Sequence, residues 1–329
     1  MKKNPIEHRE QGRFVISLDF ELQYGIEDKK NIEKYRNNII GGRSAIINIL
    51  SLFEQYKIHA TWAVVGMMFN ENLSEWILNK PRYIPKYKEP IESIYDHTER
   101  VGEDEKSDPL HYGLSLISKI ADTPNQEIAS HTYSHFYCKE DGANEDDFLD
   151  DIKKAIYVTE SKIGKKPSSI VFPRNQINDK YIKLLNLEGF KVYRGCQKNI
   201  LYRESSNNII IRGLRLIDAY TGISGYKTYY MKEVFEKGIY NVKASSMLRP
   251  YNLKFNFLEP FKINTIKRAM LYAAKKGQIY HLWWHPHNMG INTAENIKQL
   301  QKILSYFEFL NKEYGMVSNT MKEIGEITI

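Results

Sequence analysis

Apolar runs of strand length alternate along this chain with longer segments in which apolar residues recur at helical spacing. The candidate strands cover residues 14–21, 58–65, 127–130, 168–172, 190–193, 278–284 and 316–317. The candidate helices cover residues 43–56, 69–80, 110–121, 146–163, 178–187, 261–276 and 293–312. This alternation is typical of parallel sheets, so it predicts an α/β barrel or an open α/β sheet.

Two segments interrupt the alternation. Residues 81–109 contain prolines, tyrosines and charges with little periodicity, and we interpret them as an insertion over one end of the barrel or as an ordinary surface excursion. Residues 196–260 are irregular, with a strand-like stretch at 209–217. No glycine-rich phosphate loop follows the first strand, which disfavours a nucleotide-binding doubly wound fold. We expect a single domain over residues 1–329.

Polar residues follow several candidate strands directly. Asp19 and Glu21 end the first strand and share one face, because side chains alternate along a strand. The other clusters are His131 with His135, Arg174-Asn175-Gln176, and His285 with His287 and Asn288. Since the carboxyl ends of barrel strands meet at one end, we expect these clusters to converge. For the two acids, the alternative is that one caps a helix and the other is solvated.

Two histidine pairs have the same spacing, His131 with His135 and His281 with His285. Imidazoles four residues apart on a helical turn project from the same side. The pair at His131 and His135 then needs one further ligand to hold a metal ion. Two unrelated surface or core histidines are the alternative interpretation of an isolated pair.

The residue types of these clusters indicate hydrolysis. One carboxylate and two imidazoles make a three-ligand metal site with an open position for water. A second carboxylate beside the metal acts as a base towards that water, and a nearby arginine keeps such a base ionised. A histidine from the far side of the barrel protonates a leaving amine. This set suits cleavage of an amide or an ester.

Composition restricts the partners of the chain. The formal charge of +7 and the pI of about 9.0 permit a phosphate-bearing substrate, a membrane surface or nucleic acid. The lysines form no dense basic block or nucleic-acid motif, which favours ordinary surface charge. The first 13 residues lack the apolar region of a secretory signal, and no apolar run has membrane-spanning length. Cys138 and Cys196 are expected as free thiols, and the cytoplasm is the expected location.

Four motifs in order resemble those of the polysaccharide deacetylases of the NodB-homology type, carbohydrate esterase family 4. They are residues 17–21 (Ser-Leu-Asp-Phe-Glu), 131–135 (His-Thr-Tyr-Ser-His), 172–176 (Phe-Pro-Arg-Asn-Gln) and 281–288 (His-Leu-Trp-Trp-His-Pro-His-Asn). The resemblance extends from about residue 13 to 290. The motifs are most similar to those of a bacterial branch associated with surface-polysaccharide biosynthesis.

The resemblance implies a distorted (β/α)7 barrel, a divalent metal that is usually zinc, and removal of an N-acetyl group from an amino sugar. It implies that Asp19 is the catalytic base and that His131 and His135 bind the metal. It further implies that Arg174 pairs with the base and that His285 is the acid.

The first motif departs from the commonest form, which has adjacent aspartates, because Phe20 stands in the second place. Some relatives separate the two acids by one residue, so we assign the remaining metal ligand to Glu21. His281 and His287 compete with His285 for the acid role. Residues expected to bind the substrate are Tyr24, Asn175, Gln176, Arg194, His281, Trp283 and His287.

Together these features predict a hydrolase of carbon–nitrogen bonds in linear amides. We expect it to deacetylate an N-acetylated sugar or sugar precursor inside the cell, with a nucleotide-linked or lipid-linked substrate favoured over a mature wall polymer. One alternative is a non-catalytic sugar-binding barrel whose altered first motif has lost the chemistry. Another is a deformylase or esterase that uses the same site.

Overall fold

The computed structural model describes residues 10–26, 35–88, 93–196 and 209–327. The strands are β1 (Arg13–Phe20), β2 (Ala60–Val64), β3 (Gln126–Ser130), β4 (Ser169–Ile170), β5 (Val192–Tyr193), β6 (Phe235–Glu236), β7 (Ile239–Asn241), β8 (Ser246–Met247), β9 (Ile279–Trp284) and β10 (Val317–Asn319). The helices are α1 (Arg36–Gln55), α2 (Leu73–Leu78), α3 (Leu114–Asp122), α4 (Glu145–Ile163), α5 (Asp179–Leu187), α6 (Ile209–Thr221), α7 (Glu259–Lys276), α8 (Thr293–Tyr314) and α9 (Met321–Glu326).

These strands form one sheet that curls into a barrel. Its order is β6-β7-β5-β4-β3-β2-β1-β9-β8, with β10 beside β1, and the pairing is parallel apart from β6 with β7. Residues 239–247 bond to β5 at their start and to β9 at their end, since Val242 N donates to Tyr193 O at 2.9 Å and Ser245 N to His281 O at 2.8 Å. Within the described residues, seven strand positions form the barrel wall, with residues 239–247 counted as one position between β5 and β9. This confirms the predicted distorted (β/α)7 barrel.

The two ends of the barrel differ in chemistry. At the end where the strands begin, α9 covers the opening of the barrel. Its Met321 and Ile324 are buried in the same apolar cluster as Val15 and Val192. At the end where the strands finish, the buried inward residues are polar, among them Asp19. Parallel α/β folds gather their functional side chains at that second end.

Helix α1 begins at Arg36 rather than at residue 43, so it includes Gly41 and Gly42. Glycine ordinarily weakens a helix interior. Here the turn after β9 packs against the helix: a Cβ at position 42 would lie 2.7 Å from the Cα of His287, and one at position 41 would lie 2.1 Å from the Gly290 carbonyl oxygen. The glycines therefore allow the close approach that positions the turn carrying His287.

The strand predicted at 209–217 is wrong, because residues 209–221 form helix α6. Three consecutive isoleucines favour a strand locally, since β-branched residues fit a pleated surface. Packing against α7 overrides that preference: Thr265 of α7 donates a hydrogen bond to the carbonyl of Tyr220 at 3.1 Å. None of the described helices combines the length and the apolar character that crossing a membrane requires.

The described part of the 81–109 segment lies against the loop that carries His135. The amide of Tyr137 donates to the Tyr87 hydroxyl at 2.9 Å, and the two rings lie 5.4 Å apart. Tyr95, in a 3-10 helix over Ile94–Arg100, packs on Trp76 with ring centroids 5.9 Å apart. These contacts favour the interpretation of an insertion over one end of the barrel.

Candidate metal centre and active site

Strand β1 places two carboxylates at the polar end of the barrel. Its alternation directs Asp19 inward, whereas Phe20 packs outward against Trp62 with ring centroids 6.5 Å apart. Glu21 follows the strand and is 5% exposed. A Cβ at Gly25 would lie 2.0 Å from Glu21 Oε1, so the glycine leaves room for this carboxylate.

His131 and His135 occupy a turn rather than the helical turn that we predicted. Thr132 and His135 have positive φ values of 63° and 57°, and no helix is assigned across the motif. Asp151 of α4 shapes the turn by accepting hydrogen bonds from the amides of Tyr133 at 2.6 Å and Ser134 at 3.0 Å. These backbone groups cannot then make helical hydrogen bonds, yet both rings still point to Glu21.

Glu21, His131 and His135 form a buried set whose ligand atoms lie within 4.8 Å of one another. Glu21 Oε2 is 3.3 Å from His131 Nε2 and 3.2 Å from His135 Nε2. Burial raises the pKa of Glu21, but the surrounding imidazoles outweigh this effect and hold the pKa well below its usual value. The carboxylate is therefore available as an anionic ligand.

The donor set fits a divalent cation. His131 Nδ1 lies 2.8 Å from the Val171 carbonyl oxygen, which fixes the proton on Nδ1 and leaves the Nε2 lone pair facing Glu21. In the described part of the chain, this Nε2 has no hydrogen-bond partner. A lone pair and a carboxylate oxygen repel each other unless a cation or a proton lies between them. The residues present therefore fit a divalent metal ion held by one carboxylate and two imidazoles.

Arg194 forms the ion pair with Asp19. Its Nη1 and Nη2 lie 2.5 and 2.7 Å from Asp19 Oδ1 and Oδ2, and both side chains are buried. Nη1 also donates to Ser17 Oγ at 3.0 Å, and Nη2 donates to Asn175 Oδ1 at 3.1 Å. Burial raises the pKa of Asp19, but Arg194 and the nearby imidazoles outweigh it and leave the pKa lowered.

The prediction that Arg174 pairs with Asp19 is therefore wrong, and so is the substrate-binding assignment of Arg194. Arg174 is exposed, with its guanidinium carbon 4.0 Å from the centre of the Tyr137 ring. It has a left-handed backbone, with φ of 54°, in the turn after β4. Arg194 lies two residues beyond the inward-facing Val192, so strand alternation directs it into the barrel.

His285 follows β9 and lies beside both carboxylates. Its Nε2 is 3.6 Å from Glu21 Oε1 and 3.7 Å from Asp19 Oδ2, and its side chain is 22% exposed. The ring of His287 stacks on it with centroids 5.2 Å apart, while His287 Nδ1 lies 4.0 Å from Glu21 Oε1. Because His287 is buried, His285 is the more accessible of these two imidazoles.

Two residues assigned to substrate binding lie beneath the site instead. His281 is fully buried, with Nε2 2.8 Å from Ser17 Oγ and Nδ1 3.2 Å from the Val242 carbonyl oxygen. Burial and nearby Arg194 lower its pKa to about 3, so it remains neutral. Tyr24 is 2% exposed, and its hydroxyl accepts from Trp76 Nε1 at 3.2 Å. Both predictions are corrected by this burial.

The remaining predicted residues border a cavity of about 790 Å³ beside the site. Asn175, Gln176 and Trp283 line it. The Trp283 ring separates Arg194, whose guanidinium carbon is 4.4 Å from its centre, from His285, whose ring is 5.4 Å away. Trp283 is thus the wall shared by the cavity and the carboxylate site.

The family model described as polysaccharide deacetylase matches residues 40–193. This matched part of the chain is similar to the polysaccharide deacetylase family. A comparison with curated proteins finds no match. The matched residues 40–193 include His131 and His135, whereas Asp19, Glu21, Arg194 and His285 lie outside them. The barrel geometry is what joins those four to the matched segment.

Solved structures share the fold at low sequence identity. A proposed polysaccharide deacetylase from Mycobacterium smegmatis has a TM-score of 0.59 at 14% identity, covering 99% of this chain and 93% of its own. A probable polysaccharide deacetylase from Pseudomonas aeruginosa PAO1 has a TM-score of 0.53 at 10% identity, covering 96% and 90%. An allantoinase has a TM-score of 0.53 at 12% identity, with the same coverage.

Sequence reasoning missed Ser17 and Asp151, which orient residues of the candidate site. Ser17 bridges Arg194 and His281 beneath Asp19, and Asp151 holds the turn between the two metal-site histidines. Ser17 stands two residues before Asp19, so strand alternation could have placed it on the same face. Asp151 lies on a helix far along the chain, and no local signal connects it to this turn.

Proposed function

We propose that this protein is a metal-dependent deacetylase that hydrolyses the N-acetyl amide of an amino sugar. The observation that carries the proposal is the convergence of a buried carboxylate and two imidazoles with a second, arginine-paired carboxylate and an accessible histidine. The family of the matched segment supports this reaction class.

Glu21, His131 and His135 would hold the cation, and one carboxylate with two imidazoles is a donor set that zinc takes in hydrolytic sites. Polarisation of the amide carbonyl and acidification of the attacking water are the chemistry that such a cation supplies. The rest of the reaction falls to protein side chains.

Asp19 is the proposed base. The bidentate pair with Arg194 keeps it ionised and fixes the plane of its carboxylate. As water attacks the acetyl carbon, its proton passes to Asp19. Arg194 is itself buried and also holds Ser17 and Asn175, so the carboxylate cannot rotate freely.

His285 is the proposed acid. Its Nε2 lies within 3.7 Å of both site carboxylates, and its side chain, which is 22% exposed, is accessible to a substrate. It donates a proton to the amide nitrogen as the carbon–nitrogen bond breaks. The products are acetate and the free amine.

The adjoining cavity supports a phosphate-bearing substrate. Among the described residues that line it, six are basic and two acidic, and Asp218, one of the acids, is paired with Lys227 at 2.6 Å. Arg249 and Arg215 are among the bases. We therefore extend the proposal to a nucleotide-linked or lipid-linked amino sugar as the substrate. The amino-acid sequences of the four motifs also favour a role in surface-polysaccharide biosynthesis.

Acyl release tests the reaction. We expect acetate, rather than formate, from an N-acetylated sugar in a panel of free, nucleotide-linked and lipid-linked forms. Chelation should abolish the release, and zinc or cobalt should restore it. A protein that binds no divalent ion and releases no acyl group from any member of the panel would instead be a non-catalytic barrel.

Gly25→Ala tests the metal site independently of the substrate. The added methyl group would overlap Glu21 Oε1, so we expect zinc affinity to fall by at least about tenfold. Competition with a chelating dye measures it. Gly213→Ala is the matched control, since its Cβ meets nothing within 4 Å and should leave zinc binding unchanged. Equal affinities in the two variants would remove Glu21 from the ligand set.

A further inference from the structure

Helix α6 presents its apolar side to solvent. Ile210, Leu214 and Ile217 follow one another at helical spacing and are 66%, 43% and 54% exposed. Arg215 and Asp218, on the neighbouring side of the same helix, line the cavity next to the active site. A helix on the surface of a globular protein normally turns its apolar side to the core and its polar side to solvent. The exposed apolar side of α6 therefore indicates contact with a partner.

A second group of exposed apolar residues continues this surface. Leu253, Phe255, Phe257 and Phe261 are 62%, 44%, 66% and 58% exposed, and the 3-10 helix Leu253–Leu258 contains no buried residue. The two groups are adjacent because the C-terminal turn of α6 contacts the start of α7. Tyr220 Oη, for example, lies 3.4 Å from Glu259 Oε1. We name these seven residues the apolar face.

Along the two chain segments that carry the apolar face, the exposed charges have one sign. In residues 209–230 and 249–261, the acids are Asp218 and Glu259, and both are buried in ion pairs with lysines. Arg212 and Lys254 are exposed on the same two segments. The exposed charges on the two segments that carry the apolar isoleucines, leucines and phenylalanines are therefore cationic.

We propose that the apolar face docks on the surface of an anionic lipid membrane. Aromatic and aliphatic side chains on one side of a helix, with arginine and lysine beside them, enter the boundary between lipid headgroups and acyl chains. The cations add attraction to anionic headgroups. This charge pattern selects a membrane over a second copy of the chain, because two cationic faces repel each other.

Docking would also orient the catalytic end of the barrel. Arg215 on the inner side of α6 and Arg249 line the cavity that reaches the carboxylate site through Trp283. A membrane against the outer side of α6 would place headgroup phosphates beside that cavity. This consequence rests on the proposed function, whereas the docking surface does not.

Vesicle sedimentation with the full chain tests the proposal. We expect the protein to bind vesicles that contain phosphatidylglycerol and to bind phosphatidylcholine vesicles at least about tenfold more weakly, because cations near the surface are attracted to anionic headgroups. Phe255→Ser with Phe257→Ser should lower binding to the anionic vesicles at least about tenfold. Leu78→Ser, at a leucine that is 80% exposed in α2, is the matched control and should bind normally.

Charge reversal separates the two contributions. Arg212→Glu with Lys254→Glu should weaken binding to anionic vesicles, and high salt should weaken binding of the unaltered protein. Far-ultraviolet circular dichroism confirms that each variant is folded. Equal binding to both vesicle types, no binding to either, or a dimer that the phenylalanine variant dissociates would overturn the proposal. None of these readouts depends on deacetylase activity.

Discussion

At the scale of single residues, the identity of the arginine beside Asp19 decides how the proposed base is held. The motif assigns this contact to Arg174, and the barrel gives it to Arg194. Arg194 follows β5 and points into the barrel, so its guanidinium pairs with the Asp19 carboxylate where water is excluded. Removing a single partner from a buried ion pair leaves the other charge uncompensated, which costs about 3–5 kcal/mol.

We predict that Arg194→Ala lowers kcat by about 100-fold or more, because a misoriented and partly protonated Asp19 is a poor base. Without the guanidinium, burial should raise the pKa of Asp19, so the acidic limb of the pH–rate profile moves to higher pH. Steady-state kinetics across pH measure both effects.

Arg174→Ala is the control for that prediction. Its side chain is exposed and lines the cavity, so we expect a higher KM with kcat nearly retained. If Arg174→Ala caused a larger loss in kcat than Arg194→Ala, Arg174 rather than Arg194 would be the arginine that supports Asp19.

At the scale of elements, one carboxylate on α4 shapes the turn that carries His131 and His135, the histidines of the candidate metal site. Asp151 accepts from Tyr133 N, Ser134 N and, at 2.5 Å, Ser134 Oγ, while 2% of its surface is exposed. Burial raises its pKa to about 6, against the effect of these hydrogen bonds. The turn therefore depends on a carboxylate that is costly to ionise.

Because the pKa of Asp151 is raised in the folded protein, its contribution to stability falls as pH rises. Between the usual carboxyl value of 3.8 and about 6, the folded protein binds more protons at Asp151 than the unfolded chain does. Its contribution to the free energy of unfolding is therefore greatest at low pH and decreases as pH rises through that window, by about 3 kcal/mol.

Asp151→Asn removes this titration, so we predict that the stability difference between the unaltered protein and the variant shrinks as pH rises from about 4 to about 6. Urea unfolding at several pH values measures it. Asp19 and Glu21, whose pKa values are lowered, cancel in the comparison because both proteins retain them. A difference that is constant or grows with pH would contradict the prediction.

At the scale of the whole molecule, the residues that close the barrel and the residues of the candidate active site lie at opposite ends of its axis. Helix α9 closes the end where the strands begin: Met321 N donates to Thr61 Oγ1 at 2.8 Å, and Ile324 is fully buried. The carboxylates and imidazoles lie at the opposite end. Changes to the closing helix should therefore affect folding rather than turnover.

We predict that Ile324→Ala lowers the free energy of unfolding by about 2–5 kcal/mol, because it leaves a cavity in the barrel interior. Catalytic parameters of the folded fraction should remain unchanged. Lys322→Ala, at an exposed position of the same helix, should alter stability by less than about 0.5 kcal/mol. Chemical denaturation with parallel activity assays checks both, and a large kcat effect in Ile324→Ala would reject the separation.

The sequence by itself determined the alternation of strands and helices, the polar clusters at strand ends and the donor types of the candidate metal site. These properties are local, since side-chain periodicity and residue chemistry require no knowledge of distant segments. Tertiary structure alone decided that Arg194 faces Asp19, that His281 is buried and that α6 turns its apolar side outward. Each of those outcomes depends on direction and burial, which arise when segments far apart in the chain, such as Asp19 and Arg194, come together.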